Sequence, residues 1–389
     1  MNSGKTVLAQ ILDALHPEEF RRIARRHPTS RDTHALSAYD HFVAMIFAQL
    51  TYRESLRDIE ACLGSKTSLL YHSGIRSRIT RGNLSYANEH RPAALFAEVA
   101  MLLMRRARRL YAGTANTINI GGEIYAIDST LVELSLALFP WARWQGTHAA
   151  LKLNVLLNVA TEIPEFCTLV DGGVSDFNFL DVIYFIAGAY YVIDRGYLDF
   201  KRLFRITQAG AWFVTRLKSN IHYYVAESRS VNKEDGVISD QIIRLSGAKA
   251  RKGYPDQLRR IHYYDKKSGN DLVFLTNNFI LPALIIALIY KRRWEIELFF
   301  KWIKQHLRLR GFYSTNRNGV SVQIWTALCA YLLVAIMQRT QSLTGTLYRT
   351  LQIISISTFE KVPLHQLVAK IDTRNEDVYI PNQLTFNGF

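Results

Sequence analysis

Two short apolar runs, Glu123 to Thr130 (Glu-Ile-Tyr-Ala-Ile-Asp-Ser-Thr) and Tyr190 to Asp194 (Tyr-Tyr-Val-Ile-Asp), each lead into an aspartate. Continuous apolar runs of this length, bounded by polar and turn-forming residues, read as buried strands. Between them, Leu151 to Ala160 and Glu165 to Val170 read as two further strands, separated by Thr161 to Pro164 as in a meander. Gly172-Gly173 breaks the pattern, and Phe177 to Ala189 reads as a helix. A helix over about Leu198 to Gln208 and a strand over Ala211 to Leu217 follow the second aspartate. Three strands in a meander, then alternating helices and strands, call for a mixed α/β sheet with helices on its faces.

A chain of 389 residues has room for two or three modules around that sheet. Residues 1–110 read as a helical N-terminal domain, with Val7, Ile11, Leu12 and Leu15 at helical spacing and a second apolar face over His41 to Leu50. Arg21, Arg22, Arg25 and Arg26 form one basic group there, and Arg105, Arg106, Arg108 and Arg109 another. Each group suits contacts to phosphates, and equally a solvated helix face. The sheet domain is expected over 111–340 and a C-terminal extension over 341–389. Residues 218 to about 271 are rich in Lys, Arg, Ser, Gly and Asp, with Tyr223, Tyr224, Tyr254, Tyr263 and Tyr264 among them. That is too long for a structureless loop, so a β-rich insertion subdomain is expected over about 218–276. Asp271 to Asn277 would return from it to the main sheet as a strand.

The formal net charge is +15, which points to nucleic acid or an anionic membrane surface. The basic residues are interleaved with strands and tyrosines rather than gathered on one lipid-facing helix, which disfavours the membrane. Phe279 to Tyr290, which contains Pro282, and Val322 to Met337 are too short to cross a bilayer and read as buried helices. Met1 to Lys5 leads into an amphipathic stretch without the pattern of an export signal. The three cysteines, Cys62, Cys167 and Cys329, are too scattered for a disulfide framework or a cysteine-built zinc site. Both features fit a cytoplasmic protein.

Ala283 to Arg310 reads as one long helix. Tyr290, Arg293, Glu297 and Lys304 lie on it at offsets 0, 3, 7 and 14, which at about 100° per residue share a stripe about 60° wide. A salt-bridged surface helix would give the same pattern. A carboxylate at a strand end faces the rim of the sheet, where sites gather. Singly, Asp128 and Asp194 could also be turn formers or helix caps. Together, three carboxylates from two strands and a helix can converge on two Mg²⁺ ions, which prefer oxygen ligands and keep several waters. Such a pair, about 3.5–4 Å apart, can activate a water or a 3′-hydroxyl and stabilise the leaving oxygen in phosphoryl transfer.

The motifs Ala126-Ile-Asp128-Ser-Thr130, Val192-Ile-Asp194-Arg-Gly-Tyr197 and Tyr290-x2-Arg293-x3-Glu297-x6-Lys304 resemble those of the insertion-sequence-four family of bacterial DDE transposases. Ser77 to His90 is similar to the family's lead-in to its catalytic domain. The resemblance implies a ribonuclease H-like core with a β insertion before the last catalytic helix. It implies a metal-binding triad of Asp128, Asp194 and Glu297 holding two Mg²⁺ ions, with Mn²⁺ as a substitute. Tyr290, Arg293 and Lys304 would contact phosphates of the transposon end. The implied activity is cut-and-paste transposition on double-stranded DNA: cleavage at the terminal repeats and joining of the 3′-ends to target DNA. A dimer in the paired-end complex and association with the nucleoid would follow. Relatives that excise through a hairpin hold a flipped base with a tryptophan of the insertion. This sequence has no tryptophan between Trp212 and Trp294, leaving the five tyrosines of the inserted segment as stacking candidates. A nuclease that never joins strands, or an inactive transposase-derived DNA-binding protein, are the alternatives; the presence of all three carboxylates weighs against the latter.

Overall fold

The computed structural model describes residues 4–29, 35–114, 118, 120–144, 146, 148–306 and 311–372. Contacts divide the chain into two compact units. One comprises Met1–Arg106, His306–Ser314 and Asn318–Phe389; the other comprises Ala107–Gln305 and Thr315–Arg317.

Helices joined by turns and loops, with no strand, make up the described residues of the first unit. Its opening helix, Val7–Leu12, is wholly buried, and the Val7 and Leu8 amides donate to the carbonyls of Glu360 and Thr358, each at 2.9 Å. Gln10 secures the same contact: its Nε2 donates to the Val362 carbonyl at 2.9 Å and its Oε1 accepts from the Leu364 amide at 3.1 Å. The helix Arg317–Thr340 is buried along nearly its whole length. Asn318 near its start donates to the carbonyls of Asn88 and Arg91 at 2.8 and 2.7 Å and accepts from the Ala93 amide at 3.0 Å. The expected boundary at 340 therefore divides the chain differently from its contacts, because the apolar helix and the segment behind it complete the core of the N-terminal helices. By length and composition this helix could cross a membrane, yet 94% of its most apolar stretch is buried, as Val322 to Met337 leads one to expect.

The second unit is built on one ten-stranded sheet. Its strands are β1 (Ile124–Leu134), β2 (Arg143–Trp144), β3 (His148–Asn158), β4 (Pro164–Asp171), β5 (Tyr190–Ile193), β6 (Trp212–Arg216), β7 (Tyr223–Arg229), β8 (Val237–Leu245), β9 (Leu258–Asp265) and β10 (Asn270–Thr276). The order is β2-β3-β1-β5-β6-β10-β9-β8-β7, with β4 also paired to β3. β1, β5 and β6 run parallel, whereas β3 and β4 form the antiparallel meander. The five-strand part β4-β3-β1-β5-β6 is thus the mixed, helix-flanked sheet of a ribonuclease H-like fold. Tyr125, Ile127, Tyr191, Ile193, Phe213 and Leu275 pack on one face with Leu203 and Ile206 of the helix Phe200–Gln208. On the opposite face Phe274 packs against Tyr290, ring centroids 4.9 Å apart.

Two expectations change. The 218–276 segment is β-rich, but its strands lengthen the main sheet: β10 pairs antiparallel with β6, and β9, β8 and β7 continue the ladder. Phe177 to Ala189 is not a continuous helix: a single 3-10 turn, Asp176–Asn178, and a four-residue helix, Phe179–Val182, give way to irregular chain. Phe179, Leu180 and Ile183 are buried at spacings a helix would give, but Val182 and Tyr184 are exposed, and Gly188 takes φ +78° so that its amide meets the Gly210 carbonyl at 2.8 Å.

Where β8 and β9 pair, Arg259 donates to both carboxylate oxygens of Asp240 at 2.9 and 2.7 Å, the two side chains being only 3% and 6% exposed. Breaking a buried pair strands the remaining charge. Arg259→Met should therefore destabilise the protein by about 3–5 kcal/mol in urea unfolding, and adding Asp240→Leu should recover part of the loss.

Candidate active site

β1 and β5 are in parallel register, Ala126 beside Val192 and Ile127 beside Ile193, so the next residues, Asp128 and Asp194, come side by side on the same face. β5 ends at Ile193, and Asp194 opens a 3-10 turn, its Oδ2 accepting from the Gly196 amide at 3.1 Å. Asp128 does not end its strand. β1 runs on to Leu134 because β3 still pairs with it, while its partnership with β5 stops at Ile127. The aspartate sits where β1 loses one neighbour, which opens it to the rim of the sheet.

The expected long helix is two helices, Ala283–Lys291 and Trp294–His306, joined at Arg292-Arg293. Through the joint the backbone bonds are one residue shorter than in an α-helix: Arg292 to Ile289, Arg293 to Tyr290, Glu295 to Arg292 and Ile296 to Arg293. Tyr290 thus belongs to the first helix, Arg293 to the joint, and Glu297 and Lys304 to the second helix; Leu307 to Arg310 lie outside the described residues.

This joint aims Arg293 at the aspartates. Its Nη1 donates to Asp128 Oδ2 at 3.0 Å and its Nη2 to Glu297 Oε1 at 2.6 Å, so one guanidinium bridges the strand and helix carboxylates. Its side chain is 17% exposed, Asp128 18% and Glu297 34%. The Tyr290 ring is buried, with the guanidinium 6.0 Å from its centroid. Lys304 lies apart, two turns or about 10 Å beyond Glu297 along the helix. Burial pulls its ammonium pKa down against the pull of Glu133 on β1. The structure thus gathers Asp128, Asp194, Glu297, Arg293 and Tyr290, and leaves Lys304 beside the group.

Burial pushes Asp128 up to about 6; Asp194 and Glu297 push the same way, against the Ser129 amide and Arg293. Burial likewise raises the Tyr290 phenol. Burial opposes the charge of Arg293, but Tyr290, Glu297 and Asp128 outweigh it and raise its pKa. Among the described residues no three metal-binding side chains stand close enough to hold an ion as placed. The donor set nevertheless fits a hard divalent cation: all oxygen, like-charged, with a guanidinium standing in between Asp128 and Glu297.

Among the five tyrosines of the added segment, Tyr254 and Tyr263 are core residues, Tyr223 lies under the Arg260 guanidinium, and Tyr224 and Tyr264 are exposed. Sequence reasoning does not single out Lys152 or Asp176, which lie behind Asp128. A lysine within the apolar run of β3 was the available signal.

A folded Asp128 keeps its proton to about pH 6, whereas the unfolded group releases it near 3.8, so its contribution to stability falls as pH rises between those values. A carboxyl-resolved NMR titration should place its midpoint near pH 6. Asp194→Asn, which removes a like charge, should lower that midpoint, and Arg293→Gln should raise it.

A family model described as the transposase DDE domain matches residues 120–333. A second, described as a domain of unknown function (DUF4372), matches residues 3–76. A protein of Sinorhizobium fredii named as a transposase, y4zB, is 34% identical over 282 residues, covering 72% of this chain and 77% of its own. One named as the transposase of insertion sequence element IS5377 in Geobacillus stearothermophilus is 28% identical over 251 residues, covering 61% of this chain and 64% of its own. One named for insertion sequence element IS4SA in Synechocystis is 24% identical over 287 residues, covering 72% and 78%. By these matches, across a sheet that carries two aspartates at one rim and a glutamate on a late helix, the chain belongs to the DDE transposases of insertion sequences, a family of DNA-cutting enzymes.

Proposed function

We propose that this transposase binds the terminal repeats of its element, cuts the DNA there and joins the freed 3′-ends to target DNA. Asp128, Asp194 and Glu297 would hold a pair of Mg²⁺ ions, with Mn²⁺ as a substitute. The observation that carries this reading is the convergence itself: two aspartates that directly follow the paired stretch of β1 and β5, and a helix glutamate tied to the first of them through one guanidinium. When bound, divalent ions supply Lewis-acid activation of a water or 3′-hydroxyl and stabilise the leaving oxygen.

The protein's own groups do the rest. Without cations the carboxylates repel a phosphodiester, so their negative charge keeps DNA from reacting at an unloaded site. Arg293, once its two carboxylates are otherwise engaged, has a planar fork suited to a phosphate. Tyr290 is in place beside it to orient that fork, and Lys304 adds a point charge further along the helix. The exposed arginines Arg21, Arg22, Arg25 and Arg26 give the helical N-terminal unit a phosphate-binding face. The working form is a dimer on paired ends, in the cytoplasm and bound to the nucleoid.

Asp128→Asn, Asp194→Asn and Glu297→Gln should each reduce Mg²⁺-dependent nicking of a plasmid carrying the element ends to background, with end binding retained. Wild-type cutting by all three would refute the site. Arg293→Ala and Lys304→Ala should each reduce the salt dependence of end binding by about one unit of log–log slope. Nicking without joining of pre-cut ends would instead identify a nuclease, and binding without nicking an inactive DNA-binding protein.

A further inference from the structure

We infer that Lys152 and Asp176, acting through Ser129, are positioning residues that hold the Asp128 carboxylate at its metal-binding position. This rests on the reading of Asp128 as a metal ligand.

Cross-strand register places Ser129 opposite Asn154 and Leu131 opposite Lys152, on the face of the sheet that Asp128 does not use. There the Lys152 ammonium lies 2.7 Å from Asp176 Oδ1 and donates to the Val174 carbonyl at 2.6 Å. The Ser129 hydroxyl donates to the same Asp176 oxygen at 2.9 Å, and the Ser129 amide donates to Asp128 Oδ1 at 2.8 Å. One residue thus joins the two faces: its side chain is fixed by the Lys152–Asp176 pair, and its amide fixes the carboxylate.

A core-filling role would not call for these groups. Lys152 is only 10% exposed at the side chain, in a strand whose neighbours are Ala149, Ala150, Leu151 and Leu153. Apolar side chains fill such space without the cost of burying an ammonium, whose partner Asp176 is itself 38% exposed. What the ion pair adds is a fixed direction at Ser129. Tyr197 brings the second aspartate to the same spot. It closes the turn that Asp194 opens, its amide donating to the Asp194 carbonyl at 3.0 Å, and its buried hydroxyl lies beside Ser129. Groups behind metal ligands typically govern affinity by 10- to 100-fold when removed.

The test is Mn²⁺ binding to the full chain followed by electron paramagnetic resonance, with thermal melting to establish folding. Ser129→Ala deletes one hydroxyl and keeps the amide, and should weaken Mn²⁺ binding about tenfold and broaden the bound-ion spectrum. Lys152→Met should do at least as much, and Lys152→Arg, which preserves the pair, should return affinity to within about threefold of wild type. Asp128→Asn tests the underlying reading and should lose the bound-ion signal. If Asp128→Asn loses it while folded Ser129→Ala and Lys152→Met bind as wild type, the positioning role is wrong and the metal site stands. If Asp128→Asn binds Mn²⁺ as wild type does, the metal site falls and the positioning role with it.

Discussion

Negative charge crowded onto one rim of a sheet is the constraint around which this unit is arranged. Parallel register brings Asp128 and Asp194 to the same rim, because β1 and β5 are paired up to the residues immediately before them. Glu297 then arrives from a helix on the same face. Arg293 offsets this repulsion by reaching both Asp128 and Glu297, and the tight joint between its flanking helices sets its aim. Burial raises the stakes, since a poorly solvated carboxylate depends more on whatever cation is close. A site so built favours positive charge between its carboxylates, from an arginine or from a metal ion.

Much of this was legible in the residues. An apolar run leading into an aspartate occurs twice, and the two together with a helix glutamate carry a reading that either aspartate alone leaves open. The four-residue offset from Arg293 to Glu297 does form an ion pair, at 2.6 Å. What periodicity could not supply was the joint at Arg292-Arg293, since a shortening of the hydrogen-bond step by one residue leaves the apolar spacing almost unchanged. Nor could it place the end of β1, which is decided by the length of its partner β3. Phe177 to Ala189 misled for the opposite reason: apolar residues buried in irregular chain mimic a helical face. Lys152 and Asp176 are far apart in sequence, and only the sheet register and a turn after β4 bring them together.

The strands beyond β6 show how an insertion can be absorbed. β10 returns antiparallel to β6, so the added hairpins become an extension of the same ladder instead of a separate body. Their basic and aromatic side chains are thereby held on a surface made rigid by the core sheet, with Tyr224 and Tyr264 outward and Tyr254 and Tyr263 packed inside.

The connectivity of the two units has a consequence for biosynthesis. The chain leaves the helical unit at Arg106 and rejoins it after the sheet is finished, with Val7 and Leu8 bonded to carbonyls some 350 positions later. A ribosome therefore releases the host helices first, completes the nested sheet next, and delivers the closing segment last. The opening helix Val7–Leu12 must wait through almost the entire translation for the segment that completes its burial, which leaves apolar surface of the nascent chain open to misassociation in the meantime.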